Sequence, residues 1–171
     1  KHSDDITAFV KQMDGDYTFG ICLGDIVGWD HSIYPEYNKI MDDAGIDYRY
    51  VIGNHDMTNY GRSHETSMTD YQNMYGPAWY SFNVGKVHYV VLNDNFFIGR
   101  DWYYIGYLDE RQLRWLEEDL SYVPKGSKVA VCMHIPTTLD KSDRDAFRSD
   151  LMLDNLCNKP ALYAMLKPYD A

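Results

Sequence analysis

Five residues at the ends of apolar runs carry side chains that can do chemistry together: Asp25, the consecutive Asn54, His55 and Asp56, and His134. Singly, each has an ordinary structural reading. An aspartate after glycine commonly forms a turn, Asn-His in a loop commonly faces solvent, and a lone histidine after a strand is more often hydrogen-bonded than ligating. Together, Asp25, Asn54 and His134 offer a carboxylate oxygen, an amide oxygen and an imidazole nitrogen. That mixture suits Mn, Fe or Zn rather than a thiolate-bound soft metal. Asp25 and Asn54 are 29 residues apart and Asn54 and His134 are 80 apart, so only tertiary structure can unite them.

The flanking sequence predicts elements able to do so. Residues 19–23 form a short apolar run ending in Gly24-Asp25, a buried strand with a carboxylate at its tip. Pro35 opens a helix whose Tyr37, Ile40, Met41 and Ala44 share a face before Gly45. Residues 48–52 form a second strand, ending in Gly53-Asn54-His55-Asp56, and residues 129–133 a third, ending in His134-Ile135-Pro136. Strand and helix alternating at this spacing argue for the α/β class with a largely parallel sheet buried on both faces. Ligands bind such sheets at the carboxyl ends of the strands, where the three tips would be neighbours.

Around this frame, Ser3-Asp4-Asp5 caps a first helix carrying Ile6, Phe9, Val10 and Met13, and residues 65–75 form another. Residues 79–84 and 87–92, split by Gly85-Lys86, read as a β-hairpin, with Asn93-Asp94 at its end. Residues 93–107 read as an aromatic loop. Residues 109–120 read as a helix with a Leu113, Leu116 and Leu120 seam and Asp109-Glu110 at its positive end. Helical spacing is weak over residues 151–156 and clearer over 161–166, after Pro160.

A length of 171 residues fits one domain over 1–171, and 45% hydrophobic with 25% charged residues is an ordinary globular composition. No apolar run approaches the roughly 18 residues of a membrane helix. The net charge of −10 argues against nucleic acid or anionic lipid as partners and implies that an anionic substrate needs a neutralising cation. Cys22 and Cys132 lie in apolar runs, so no disulfide framework is indicated, and Cys157 has no neighbour to make it a nucleophile. No Gly-rich dinucleotide fingerprint follows the first strand. His2, His31, His64 and His88 lack a matching context and read as surface or packing residues. Phe96, Phe97, Trp102, Tyr103, Tyr104 and Tyr107 read as a small satellite core, with Arg100 beside them, and residues 140–145 as a solvated charged loop.

Gly24-Asp25-Ile26-Val27-Gly28, Gly53-Asn54-His55-Asp56 and His134 after a hydrophobic strand resemble the second, third and fourth motifs of the calcineurin-like metallophosphoesterases. The resemblance spans essentially the whole chain, and its tyrosine-rich inserts are similar to those of bacterial phosphohydrolases of that superfamily. It implies an αββα sandwich with two divalent metal ions, Mn, Fe or Zn, at the sheet tips. Asp25 would bridge both ions, and Asn54 and His134 would bind the second. His55 would be the general acid, with Asp56 holding its ring. The implied reaction is hydrolysis of a phosphate mono- or diester by in-line attack of a hydroxide bridging the metals.

Two motifs of the family have no counterpart here, since no Asp-x-His occurs and no histidine follows His134. The expectation is a central fragment of a longer phosphoesterase, truncated at both ends, with low metal occupancy and weak or no activity. Its exposed sheet edges would favour self-association. The competing expectation is a noncatalytic interaction domain that retains the fold.

Overall fold

Short apolar runs bounded by glycines become strands, and helices with one apolar stripe cover them. The computed structural model describes residues 2–12, 15–58, 61–99, 104–137 and 155–171. α1 (His2–Lys11) leads to β1 (Gly20–Cys22), then α2 (Tyr34–Asp43) and β2 (Tyr48–Tyr50). β1 and β2 pair in parallel, Gly20 opposite Tyr48 and Cys22 opposite Tyr50. A parallel pair requires a crossover; α2 provides it, with Pro35 in the first turn, where its missing N–H costs nothing. α1 packs beside α2, and α3 (Thr69–Tyr75) completes this half. Its core gathers Val27, Tyr34, Tyr37, Met41, Ile52 and Tyr71, with Ile6 and Val10 of α1 packed against it.

The second half starts with β3 (Tyr80–Val84) and β4 (Val87–Val91), an antiparallel hairpin turned at Gly85, whose φ is +58°. β5 (Asn95–Phe97) and β6 (Tyr104–Gly106) follow, then α4 (Glu110–Ser121), β7 (Lys128–Cys132) and α5 (Lys159–Leu166). β7 lies parallel to β4, Val87 opposite Lys128 and Val91 opposite Cys132. Asp109 caps α4 by accepting the Gln112 N–H at 2.7 Å. Leu116 and Leu120 of α4, Leu162 of α5, and Val90 and Val129 of the sheet form the second core.

The two sheets meet through aromatic side chains, giving the order helix, sheet, sheet, helix. Phe19 sits edge-on to Phe82 and Tyr89, with centroids 5.6 and 5.2 Å away, and the Arg49 guanidinium lies over Phe82. The Tyr80 hydroxyl accepts the Tyr50 N–H at 3.1 Å and donates to the Tyr50 carbonyl at 2.9 Å; Tyr71 donates to the same carbonyl at 2.8 Å.

Three expectations need correction. The strands do not share one largely parallel sheet, because β1 and β2 belong to one sheet and β7 to another. The span read as an aromatic loop contains β5 and β6, paired antiparallel with Phe96 opposite Ile105. Asn155 and Leu156 are not helical, while residues 151–154 of that weak helix, Arg100, Trp102, Tyr103 and the 140–145 charge run lie outside the described residues. Of the residues read as a satellite core, Phe97 is buried, and Phe96 packs on His64 at 4.4 Å and edge-on to Tyr107 at 5.6 Å. Among the described residues, no helix is long and apolar enough to cross a membrane.

Leu116 is fully buried and Tyr122 is 80% exposed. In urea unfolding, Leu116→Ala is expected to cost about 3 kcal/mol through lost transfer energy and an unfilled cavity. Tyr122→Ala should change stability by no more than about 0.5 kcal/mol.

Candidate metal centre

At the end of β1 the chain turns through two consecutive left-handed residues, Gly24 at φ +94° and Asp25 at φ +51°. Glycine adopts this region freely, and aspartate is among the few other residues that tolerate it. A Cβ on Gly24 would lie 2.6 Å from Nδ1 of His134 and 2.8 Å from the Gly53 Cα, and one on Gly53 would collide with Asp25 N and Oδ1. The two tips therefore touch backbone to backbone. Beyond Gly53, Asn54–Asp56 make a single 3-10 turn, and the His55 N–H donates to Asp25 Oδ1 at 3.1 Å.

His134 reaches this rim from β7. Its Nδ1 lies 2.8 Å from the Leu23 carbonyl, which can only accept, so Nδ1 is the donor, and Nε2 is the nitrogen left to offer a lone pair to a cation. Nε2 is 3.0 Å from Asn54 Oδ1 and 3.5 Å from Asp25 Oδ1. Three lone-pair atoms thus face one another, an arrangement that a cation between them would stabilise. Donors about 2.1 Å from one ion lie ~3.0 Å apart at octahedral angles and ~3.4 Å apart at tetrahedral ones, so these residues fit a small divalent ion. A histidine whose other nitrogen bonds a backbone carbonyl has the support usual for metal-bound imidazoles. Among the described residues, no group of three or more His, Cys, Asp or Glu is arranged to hold a metal; the fit here depends on the Asn54 amide. Burial pushes the Cys22 and Cys132 thiols up, so neither offers a ready thiolate.

Asp56 does not hold the His55 ring. Successive side chains of a 3-10 turn point about 120° apart, and Asp56 points inward, fully buried. Its Oδ1 accepts the Ile26 N–H at 3.1 Å, the Val27 N–H at 3.5 Å and the Tyr34 hydroxyl at 3.2 Å, and its Oδ2 accepts the Gly53 N–H at 2.8 Å. Burial pushes its carboxyl up and the backbone donors offset part of that rise. The His55 ring instead stacks on Trp29, with centroids 4.1 Å apart. The His55 carbonyl accepts from His31 Nε2 at 2.9 Å, and His31 Nδ1 meets Asp70 Oδ2 at 2.9 Å. His31 is thus part of the site's support, which no spacing in the sequence signals.

Asp94 does for His134 what Asp56 does for the other tips. It is fully buried beyond β4, and its two oxygens accept the N–H groups of His134 at 3.2 Å and Ile135 at 2.9 Å. Burial pushes its carboxyl up to about 7. Asn95 Nδ2 donates to the Ile52 carbonyl at 2.9 Å, and Gln112 bonds both N–H and C=O of Asn93. The tips of both sheets are therefore joined by buried side chains beneath the rim.

The family model for the calcineurin-like phosphoesterases matches residues 1–165. The chain belongs to the calcineurin-like phosphoesterase family. It is accordingly a metal-dependent phosphohydrolase, and the match spans the three strand tips just described. Its fold is similar to the crystal structure of a dimetal phosphatase from Danio rerio, with a TM-score of 0.56 at 16% identity, over 98% of this chain and 67% of that chain. No curated protein matches the sequence.

Removing the Asp56 carboxylate strands buried donors on two loops. Asp56→Ala is expected to destabilise the fold by roughly 3 kcal/mol, measured by urea unfolding, whereas an unchanged midpoint would mean that those donors find other partners.

Proposed function

We propose that this phosphoesterase hydrolyses phosphate mono- or diesters where Asp25, Asn54 and His134 meet, with those side chains holding one divalent ion and Asp25 shared with a second. The donor chemistry favours Mn, Fe or Zn. The convergence of three lone-pair atoms from three distant segments supports this reading. When bound, such ions neutralise phosphoryl charge and make water a competent nucleophile near neutral pH.

The chain's own residues orient the reaction. His55 gives its proton to the leaving oxygen. Its main chain is fixed on both sides, the N–H by Asp25 and the C=O by His31, and Trp29 limits rotation of the ring. Asp56 and Asp94 are positioning residues. They hold the tips in register from below, so that the donors are arranged before substrate arrives.

Two measurements test this. Mn2+ is expected to raise the melting temperature of the wild type but not of Asn54→Ala or His134→Ala, as binding to the folded state requires. In Mn2+-supplemented assays, Asp25→Ala should lose nearly all activity. His55→Ala should lower kcat roughly 100-fold on phenyl phosphate and far less on p-nitrophenyl phosphate, whose leaving group needs little protonation. Equal losses on the two esters would remove His55 from the acid role.

A further inference from the structure

A cavity of about 640 Å³ opens beside the metal donors, and Asp25 and His55 form part of its wall. An ester whose phosphate rests against the donors must send its alcohol either to solvent or into this space. Because His55 stands in the wall, the group inside would be the one that receives its proton, the leaving alcohol. The remaining wall is largely hydrocarbon and aromatic: Ile6 from α1, Val27 and Trp29 from the loop after β1, Ile33 just before α2, and Tyr37 and Ile40 from α2. Asp5 and Glu36 add negative charge, and among the described residues no lysine or arginine lines the cavity. Such a wall releases water when hydrocarbon fills it and repels a second anionic group. The volume lies within the range usual for small-molecule sites.

From this wall, and resting on the proposed hydrolytic site, we infer that the cavity receives an apolar, uncharged alcohol, so that the substrates are aryl or alkyl phosphates rather than nucleotides. Selectivity comes from hydrocarbon burial on α1 and α2, and the acidic rim excludes leaving groups bearing further phosphates. Each methylene added to the alcohol raises kcat/KM roughly three- to fourfold until the cavity is full.

The test compares ethyl, butyl and hexyl phosphate with adenosine monophosphate, whose leaving alcohol is polar, and adenosine diphosphate, whose leaving group carries a further phosphate, in Mn2+-supplemented assays, and follows binding of 1-hexanol to the metal-free protein by ligand-detected NMR. Ile33→Asn, at a position already 37% exposed, and Ile40→Asn are the variants, so the test survives if one fails to fold. The expected result is a rising alkyl series, two poor nucleotides, and saturable hexanol binding that a folded variant weakens together with the chain-length trend. A flat series, or preference for adenosine monophosphate, overturns the inference and leaves the hydrolytic reading intact. Hexanol binding that the variants weaken, with no ester hydrolysed, supports the cavity assignment and overturns the hydrolytic reading. Absence of hexanol binding overturns the inference whatever the assays show.

Discussion

Two buried carboxylates hold this molecule's site together. Where strands end in the interior, the backbone N–H groups of the turns lose both ladder partners and water, and each unpaired group costs free energy comparable to a lost hydrogen bond. Asp56 answers this for the turns after β1 and β2, and Asp94 for the turn after β7. Neither side chain faces the rim. Burying them raises the cost of their charge, and the backbone donors they collect offset it. Backbone positions fixed in this way hold Asp25, Asn54 and His134 side by side.

The same logic explains why the rim can straddle two sheets. Gly24 and Gly53 permit contact too close for any side chain, which brings the β1 and β2 tips together. His134 then closes on them from the second sheet through Leu23, while Asn95 and Gln112 tie the adjoining segment to β2 and α4. Sheet-to-sheet packing brings aromatic rings together edge to face.

Much of this was legible in the residues. Apolar runs ending in Gly24-Asp25, Gly53-Asn54 and His134 locate the strands and their chemical tips, and Asp109, Pro35 and Gly85 mark a cap, a helix start and a turn. Periodicity reports that a strand is buried and not which sheet it joins, so the division between β1-β2 and β3-β4-β7 is not in the pattern. β5 and β6 escaped because they are three residues each and include Asn95 and Gly106, residues that ordinarily mark loops. Adjacency of His55 and Asp56 suggests a pair, yet a 3-10 turn sends the two side chains apart. His31 and Asp94 carry no local signature, because their roles depend on backbone groups far along the chain.

The phenols around Tyr50 have an effect beyond packing. Its N–H and C=O lie on the side of β2 away from β1, where a further strand would otherwise dock. Tyr80 occupies both groups and Tyr71 the second lone pair of the carbonyl. Side-chain hydroxyls from β3 and α3 thereby blunt this border of the sheet against templated addition of foreign backbone. The molecule guards one of its sticky margins with tyrosines drawn from elsewhere in the chain, where many proteins use lysine or proline.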